Sequence, residues 1–302
     1  MAVIQAADYS TIKSKVDAVF GAGSGQSGYG QTVTSPTVIP GQRQTASQWI
    51  ALRNDMVKAR QHQTGTAVGT STSTDGNNLR SITAGTLIST ALLSQYNNFA
   101  NVLQTNKFEI AGTSNYSDEA LTSSTRTTSW NGTLTHTIQV VGNTSGSGSA
   151  ANMRYFFNAG GSIKFSATIT GYNESGTNQK GWTWDQMLQG MGTVTFNYNA
   201  TSAASGTGSG IGWYNLTTSD QVIYTKNAPA GSYSSNLYRI SARRDASSTL
   251  IIFTIQFQDN AGTNPLIDEN ISGTLTSTVK NFRPSGSNVS VLAHTASNTT
   301  TL

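Results

Sequence analysis

The chain has 302 residues, with 18 Lys and Arg against 14 Asp and Glu for a formal charge of +4. It has no cysteine, which excludes disulfide staples and thiolate chemistry. Its cations are scattered, Arg243-Arg244 being the one adjacent pair, which excludes the basic stripe of a nucleic-acid binder. Gly, Ser, Thr and Asn dominate, and charged residues make up only 11%. Hydrophobic residues at 36%, with eleven Tyr, ten Phe and five Trp, still argue for a folded chain rather than a disordered one. No apolar run approaches the roughly 18 residues of a membrane-spanning helix. Residues 1–30 lack a charged stretch followed by a long apolar one, so no secretory signal is expected.

The first third reads as helical. Ser10 or Thr11 can cap a short helix in which Ile12, Val16, Val19 and Phe20 share a face. Gly21-Ala-Gly-Ser-Gly25 ends it, and residues 21–44 read as an extended connection with Pro36 and Pro40. Thr45-Ala-Ser-Gln48 matches a capping box, after which Trp49, Leu52 and Met56 share a face to about Arg60. Residues 64–82 are polar again, and a third helix is predicted over 87–104 on Ile88, Leu92, Gln95, Phe99 and Leu103. Three helices with long loops make a thin core, which predicts support from another domain or, preferably, another subunit.

From residue 129 the period becomes two. Trp130, Leu134, His136, Ile138 and Val140 alternate with polar residues. Residues 153–157 and 163–169 flank Asn158-Ala-Gly-Gly161 as a predicted hairpin. A short helix over 183–191, with a Thr183-x-x-Gln186 box, precedes strands predicted at 194–198, 212–216, 221–225, 237–242, 250–257, 275–282 and 289–293. Leu250 to Phe257 reads as apolar on both faces and is the expected central strand. The fold class is therefore α+β: a helical N-terminal segment followed by an antiparallel β-sandwich of jelly-roll-like type. The expected division is a docking region with long loops at 1–110, a linker at 111–128, the sandwich at 129–295 and a tail at 296–302.

No motif carries chemistry. Gly23-Ser-Gly25-Gln-Ser-Gly28 follows a helix rather than a strand, so it lacks the context of a dinucleotide fingerprint. Gly206-Thr-Gly-Ser-Gly-Ile-Gly212 fails likewise, and neither ends in the Lys-Ser/Thr of a phosphate loop. His62, His136 and His294 lack ligand spacing for a metal. The pairs Asp118-Glu119 and Asp268-Glu269 fall in expected loops, adjacent in sequence and so pointing apart, and a calcium reading of Asp268-Glu-Asn270 is weak. No cofactor, metal or enzymatic activity is expected. The aromatics between 180 and 240 are more informative. If exposed, they would make a sugar-stacking surface; the favoured reading is core or subunit interface. The candidate interface or ligand-stacking residues are Trp49, Trp182, Trp184, Trp213 and Tyr214.

Two stretches resemble a known family. One is Tyr29-Gly-Gln with Thr45-Ala-Ser-Gln-Trp-Ile-Ala-Leu-Arg-Asn-Asp-Met56, and the other is Tyr155-Phe-Phe-Asn-Ala-Gly-Gly-Ser-Ile-Lys-Phe-Ser166 with residues 182–196. They look like virion structural proteins of tailed bacteriophages, particularly cyanobacterial phages. The resemblance implies a non-enzymatic tail, neck or fibre-associated part, assembled in the host cytoplasm, that partners itself and other virion proteins. It implies no site residues. The alternative from another class is a fibre module that binds host surface polysaccharide through the aromatics. Neither reading calls for nucleic acid or a membrane.

Overall fold

The structure, a computed structural model, describes residues 5–41, 43–143, 149–172, 179–262 and 270–302. The chain forms two compact units, and each is discontinuous in sequence. The first comprises Met1–Ser117, Arg154–Gly161 and Arg283–Leu292; the second comprises Asp118–Met153, Ser162–Phe282 and Ala293–Leu302.

The first unit holds helices α1 (Ala6–Val19), α2 (Ala46–Thr64) and α3 (Thr90–Thr105). Helix α1 starts earlier than Ser10, because the Asp8 carboxylate accepts from the Gln5 amide and closes a capping box there. Thr11 instead donates back to the Ala7 carbonyl. The Thr45–Gln48 box of α2 forms as expected, and Gly65 ends the helix at φ 68°. The Asn115 amide donates to the terminal carbonyls of Gln61 and His62. In the core, Trp49 meets Tyr9 and Tyr96 edge-on at 5.1 and 5.7 Å.

The long polar connections are held by buried and half-buried helix side chains. The Asp55 carboxylate accepts from the amides of Thr34 and Ser35 and from the Thr34 hydroxyl, at 2.7–3.1 Å. Gln95 donates to the carbonyls of Ser71 and Ser73, Arg53 to Leu79, and Arg60 to Gly76. Gln63 donates both to the Tyr29 hydroxyl and to the Leu103 carbonyl. These stretches are therefore packed against their own helices.

The support expected from a partner comes from elsewhere in the same chain. Residues 153–157, predicted as a strand, belong to helix α4 (Ser149–Asn158). Asn152, Met153, Phe156 and Phe157 are buried, an i, i+1, i+4, i+5 pattern that is one helix face. The Asn158 amide donates to the Gly28 carbonyl at 3.1 Å. At Gly30, φ 71°, an added Cβ would lie 2.4 Å from the Tyr155 ring, so only glycine allows this approach. The predicted turn at 158–161 exists, but it ends a helix rather than joining two strands.

The second unit is a β-sandwich. Its strands are β1 (Tyr116–Arg126), β2 (Thr133–Val141), β3 (Ser162–Thr170), β4 (Val194–Phe196), β5 (Thr201–Ser202), β6 (Gln221–Asn227), β7 (Leu237–Arg244), β8 (Leu250–Gln258), β9 (Thr274–Pro284) and β10 (Thr295–Thr300). One sheet has the order β1-β9-β3-β4-β5 and the other β10-β2-β8-β7-β6. The chain alternates sheets at β1-β2-β3 and at β8-β9-β10, as in a jelly roll, whereas β6-β7-β8 form a meander within one sheet. Phe253 on β8 meets Phe165 and Phe196 of the other sheet at 4.9 and 5.2 Å. Strand β8 is central in its sheet, but it alternates: Ile251, Phe253, Ile255 and Phe257 point inward while Leu250 and Ile252 are half-buried outside.

Several expected boundaries move. Strand β1 lies in the expected linker, and β10 replaces the tail. Residues 212–216 contain a 3₁₀ turn (Trp213–Asn215), and 289–293 contribute only a bridge between Ser285 and Ser290. Helix α5 (Lys180–Met191) starts before Thr183, whose hydroxyl donates back to the Gln179 carbonyl and does not cap.

In α5, Lys180 pairs with Asp259 just beyond β8 at 3.0 Å, with the two side chains 1% and 2% exposed. Removing one partner of such a pair strands a buried charge, whereas replacing both with apolar groups does not. Lys180→Met should therefore lower the unfolding free energy by about 3–5 kcal/mol. Lys180→Met with Asp259→Leu should recover most of that loss. Chemical denaturation of both variants checks this, and equal losses would refute it.

Candidate functional site

The five aromatic candidates divide by burial. Trp49 and Trp184 are fully buried and Trp213 is 7% exposed. A ring without an open face cannot stack on a sugar, so these three are core residues. Trp184 packs on Trp130 and Phe257 at 5.3 and 6.0 Å. Trp182 and Tyr214 keep partial exposure, Tyr214 lying edge-on to Trp213 at 4.6 Å. Tyr224, Tyr233 and Tyr238 are buried as well.

The other motifs resolve similarly. At Gly28, φ 96°, an added Cβ would lie 2.2 Å from the Ala22 carbonyl, so this glycine-rich string serves a loop that closes on itself. Asp118 is exposed and pairs with Lys164 at 3.0 Å. Asp268 and Glu269 lie outside the described residues. Among the described residues no three His, Cys, Asp or Glu side chains converge as a metal-binding group. No described helix is long and apolar enough to cross a membrane.

The histidines are structural in their contacts. His136 on β2 faces the sandwich interior, with Nδ1 3.0 Å from the Ser277 hydroxyl and Nε2 2.9 Å from the Asn298 Oδ1. That oxygen also accepts from the Thr122 hydroxyl, so His136 Nε2 is the donor. Burial holds its pKa below the ordinary value, against the opposing effect of the Asn298 bond. His62, in the first unit, donates from Nε2 to the Ala159 carbonyl at 2.9 Å, while its buried Nδ1 has no partner among the described residues. Burial pushes its pKa from 6.5 down to about 4, the Ala159 bond partly opposing.

Both units carry concave surfaces among the described residues; one of about 300 Å³ lies between α1 and α3, lined by Asp8, Ile12, Leu93 and Asn97. Also in the first unit, a hollow of about 650 Å³ lies between the start of α2 and the segment leading into α3, lined by Arg43, Thr45, Trp49, Ala84, Leu87 and Ile88. Trp49 donates from Nε1 to Gln44 at 3.2 Å, which keeps its edge at the floor. Leu87 stands 77% exposed at this hollow. The sequence placed Leu87 inside a helix, but Ser89 takes the cap of α3 and leaves Leu87 and Ile88 outside it. In the second unit, a groove of about 280 Å³ is lined by Asp118, Lys164, Ser166, Thr193, Thr195 and Lys280. Asp118, Lys164, Thr195 and Lys280 come from four strands, 31 to 162 positions apart by their numbering, and no local pattern marks them.

The buried His62 gives the fold a defined acid sensitivity. The unfolded chain takes up this proton near pH 6.5, the folded chain only near 4, so the folded state binds fewer protons between them. Stability is full above pH 6.5 and falls as pH drops toward 4, by about 3 kcal/mol for this one group. His62→Gln, which keeps an amide donor for Ala159, should flatten that part of the profile. Urea midpoints at pH 7 and pH 4.5 check this; an unchanged acid loss would refute it.

No protein-family model, no curated protein and no solved structure matches this chain.

Proposed function

We propose that the chain is a non-enzymatic structural component of a tailed-phage virion, in a tail, neck or fibre-associated position, that assembles through repeated subunit interfaces. It works without a cofactor, is put together in the host cytoplasm, and has itself and other virion proteins as partners. The sequence resemblance at 29–31 with 45–56, and at 155–166 with 182–196, supports this family reading. The observation that carries the assembly role is the hollow beside α2, lined in part by Trp49 and Ile88, where Leu87 lies 77% exposed. A single exposed leucine is ordinary, but Leu87 beside half-buried Ile88 at a concave surface makes contiguous apolar surface, which supports a contact with another subunit. Arg43 at the same surface supplies a polar rim. Exposed Ile39 adds apolar surface in the same unit.

The mass of the purified chain in solution, measured by light scattering, tests the proposal. The expected result is a symmetric multiple of the 31.8 kDa chain. Leu87→Asp should weaken that association at least about tenfold, from the loss of one buried leucine. At a concentration where both proteins are monomeric its thermal midpoint should stay unchanged, since Leu87 contributes little to its own core. A wild-type monomer, or an oligomer indifferent to Leu87→Asp, would overturn this role for the surface.

A further inference from the structure

The outer face of the β3–β9 pair carries a feature that stability does not call for. Directly opposite residues are Lys164 with Lys280, Ser166 with Thr278, Thr168 with Thr276 and Thr170 with Thr274. Three of these pairs are neutral hydroxyls; the fourth sets two ammonium groups against each other. Like charges directly opposite on an antiparallel pair weaken it. Lys164 is partly compensated, with Asp118 at 3.0 Å and the Phe282 ring centroid 4.1 Å from its ammonium. Lys280 is exposed and has no acceptor among the described residues.

The two lysines open onto the 280 Å³ groove together with the hydroxyls of Ser166, Thr193 and Thr195. None of these three hydroxyls makes a side-chain hydrogen bond to another described residue. Two ammonium groups and one carboxylate leave a single positive charge in the groove. That suits one anionic group, whereas a polyanion backbone requires a track of cations. The groove offers no apolar recess for a peptide side chain and no open ring for a base. It offers instead a charged anchor surrounded by unoccupied hydroxyl donors and acceptors, on a face of further hydroxyls.

We propose that this groove binds an acidic saccharide: the sugar's carboxylate or phosphate sits on Lys280 and Lys164, and its hydroxyls bond to Ser166, Thr193 and Thr195. Binding of the anion relieves the lysine–lysine repulsion, which makes the unfavourable pair intelligible. The inference goes beyond the assembly role and uses a different surface.

The test is titration of the full chain, followed by NMR, with glucuronate, glucose 6-phosphate, glucose and inorganic phosphate. Glucuronate or glucose 6-phosphate should bind at least about tenfold more tightly than either glucose or inorganic phosphate. Binding should weaken as salt rises. Lys280→Gln should weaken it about tenfold while leaving the thermal midpoint equal or higher, because a repulsion is removed. Equal binding of glucose would overturn the anionic part, and equal binding of inorganic phosphate the saccharide part. A lowered midpoint in Lys280→Gln would show that the lysine is structural. A changed solution mass in that variant would make the groove a subunit contact instead.

Discussion

Peptide groups withdrawn from water must find partners, and in this chain that requirement shapes the first unit more than apolar packing does. Its three helices are separated by connections too long and polar to bury themselves. Asp55, Gln95, Arg53 and Arg60 therefore reach from α2 and α3 into those connections and bind their amides and carbonyls, and Gln63 bridges the Tyr29 hydroxyl and the Leu103 carbonyl of α3. The Asp55 side chain is fully buried, a position that a carboxylate tolerates only when it is well hydrogen-bonded. It meets that condition through two amides and a hydroxyl. The same logic holds parts of the connections to their helices, through the backbone groups at 34–35, 71, 73, 76 and 79 that these side chains bond.

The sandwich meets a related problem at its edges. Strands β1 and β10 have few inward apolar residues, and an edge strand with unpaired peptide groups invites association. Here the two are stitched by one side chain. Asn298 accepts from Thr122 and His136 and donates to the Ser123 carbonyl, while the Leu302 amide donates to the Ser124 hydroxyl. The His136 tautomer, the Asn298 amide orientation and the register of β10 on β2 are thus set together. Because His136 is buried and its Nε2 must donate, the edge closure draws on the same residue that spans the two sheets.

What was legible in the sequence follows from range. The box at Thr45 and the alternation from Leu134 to Val140 are local, and both elements stand where they were expected. Residues 153–157 misled because Met-Arg-Tyr-Phe-Phe has strand-like composition; its helical period emerges only when Asn152 is counted with the buried face. The strands β1 and β10 were hidden because their pairing partners, not their own side chains, make them strands. The unit boundaries were hidden for the same reason. Nothing near Tyr155 announces Gly30, and nothing near Ala159 announces His62. For the candidate surfaces, Trp49 is a core residue that also lines one of them, and the exposure of Leu87 depends on where Ser89 places the helix start. The Lys164–Lys280 pair is a matter of register between strands more than a hundred residues apart.

The burial of the aromatics determines what kind of recognition the second unit can perform. Had Trp184, Trp213, Tyr224, Tyr233 and Tyr238 faced water, contact would have been by ring stacking, which tolerates many ligands and is insensitive to salt. With those rings spent on the core, the outer faces present threonine, serine, glutamine and a few cations. Hydroxyl donors and acceptors are directional and are fully solvated when free, so each bond made to them yields a modest net gain. Such a surface gains affinity only through many simultaneous bonds or through repetition of the whole unit. A hydroxyl-rich β-sandwich is therefore most effective when several copies are held together, since linked weak sites act with a high effective concentration. That is the physical link between an apolar contact surface in the first unit and a polar, weakly charged groove in the second: the former would supply the multiplicity that the latter needs.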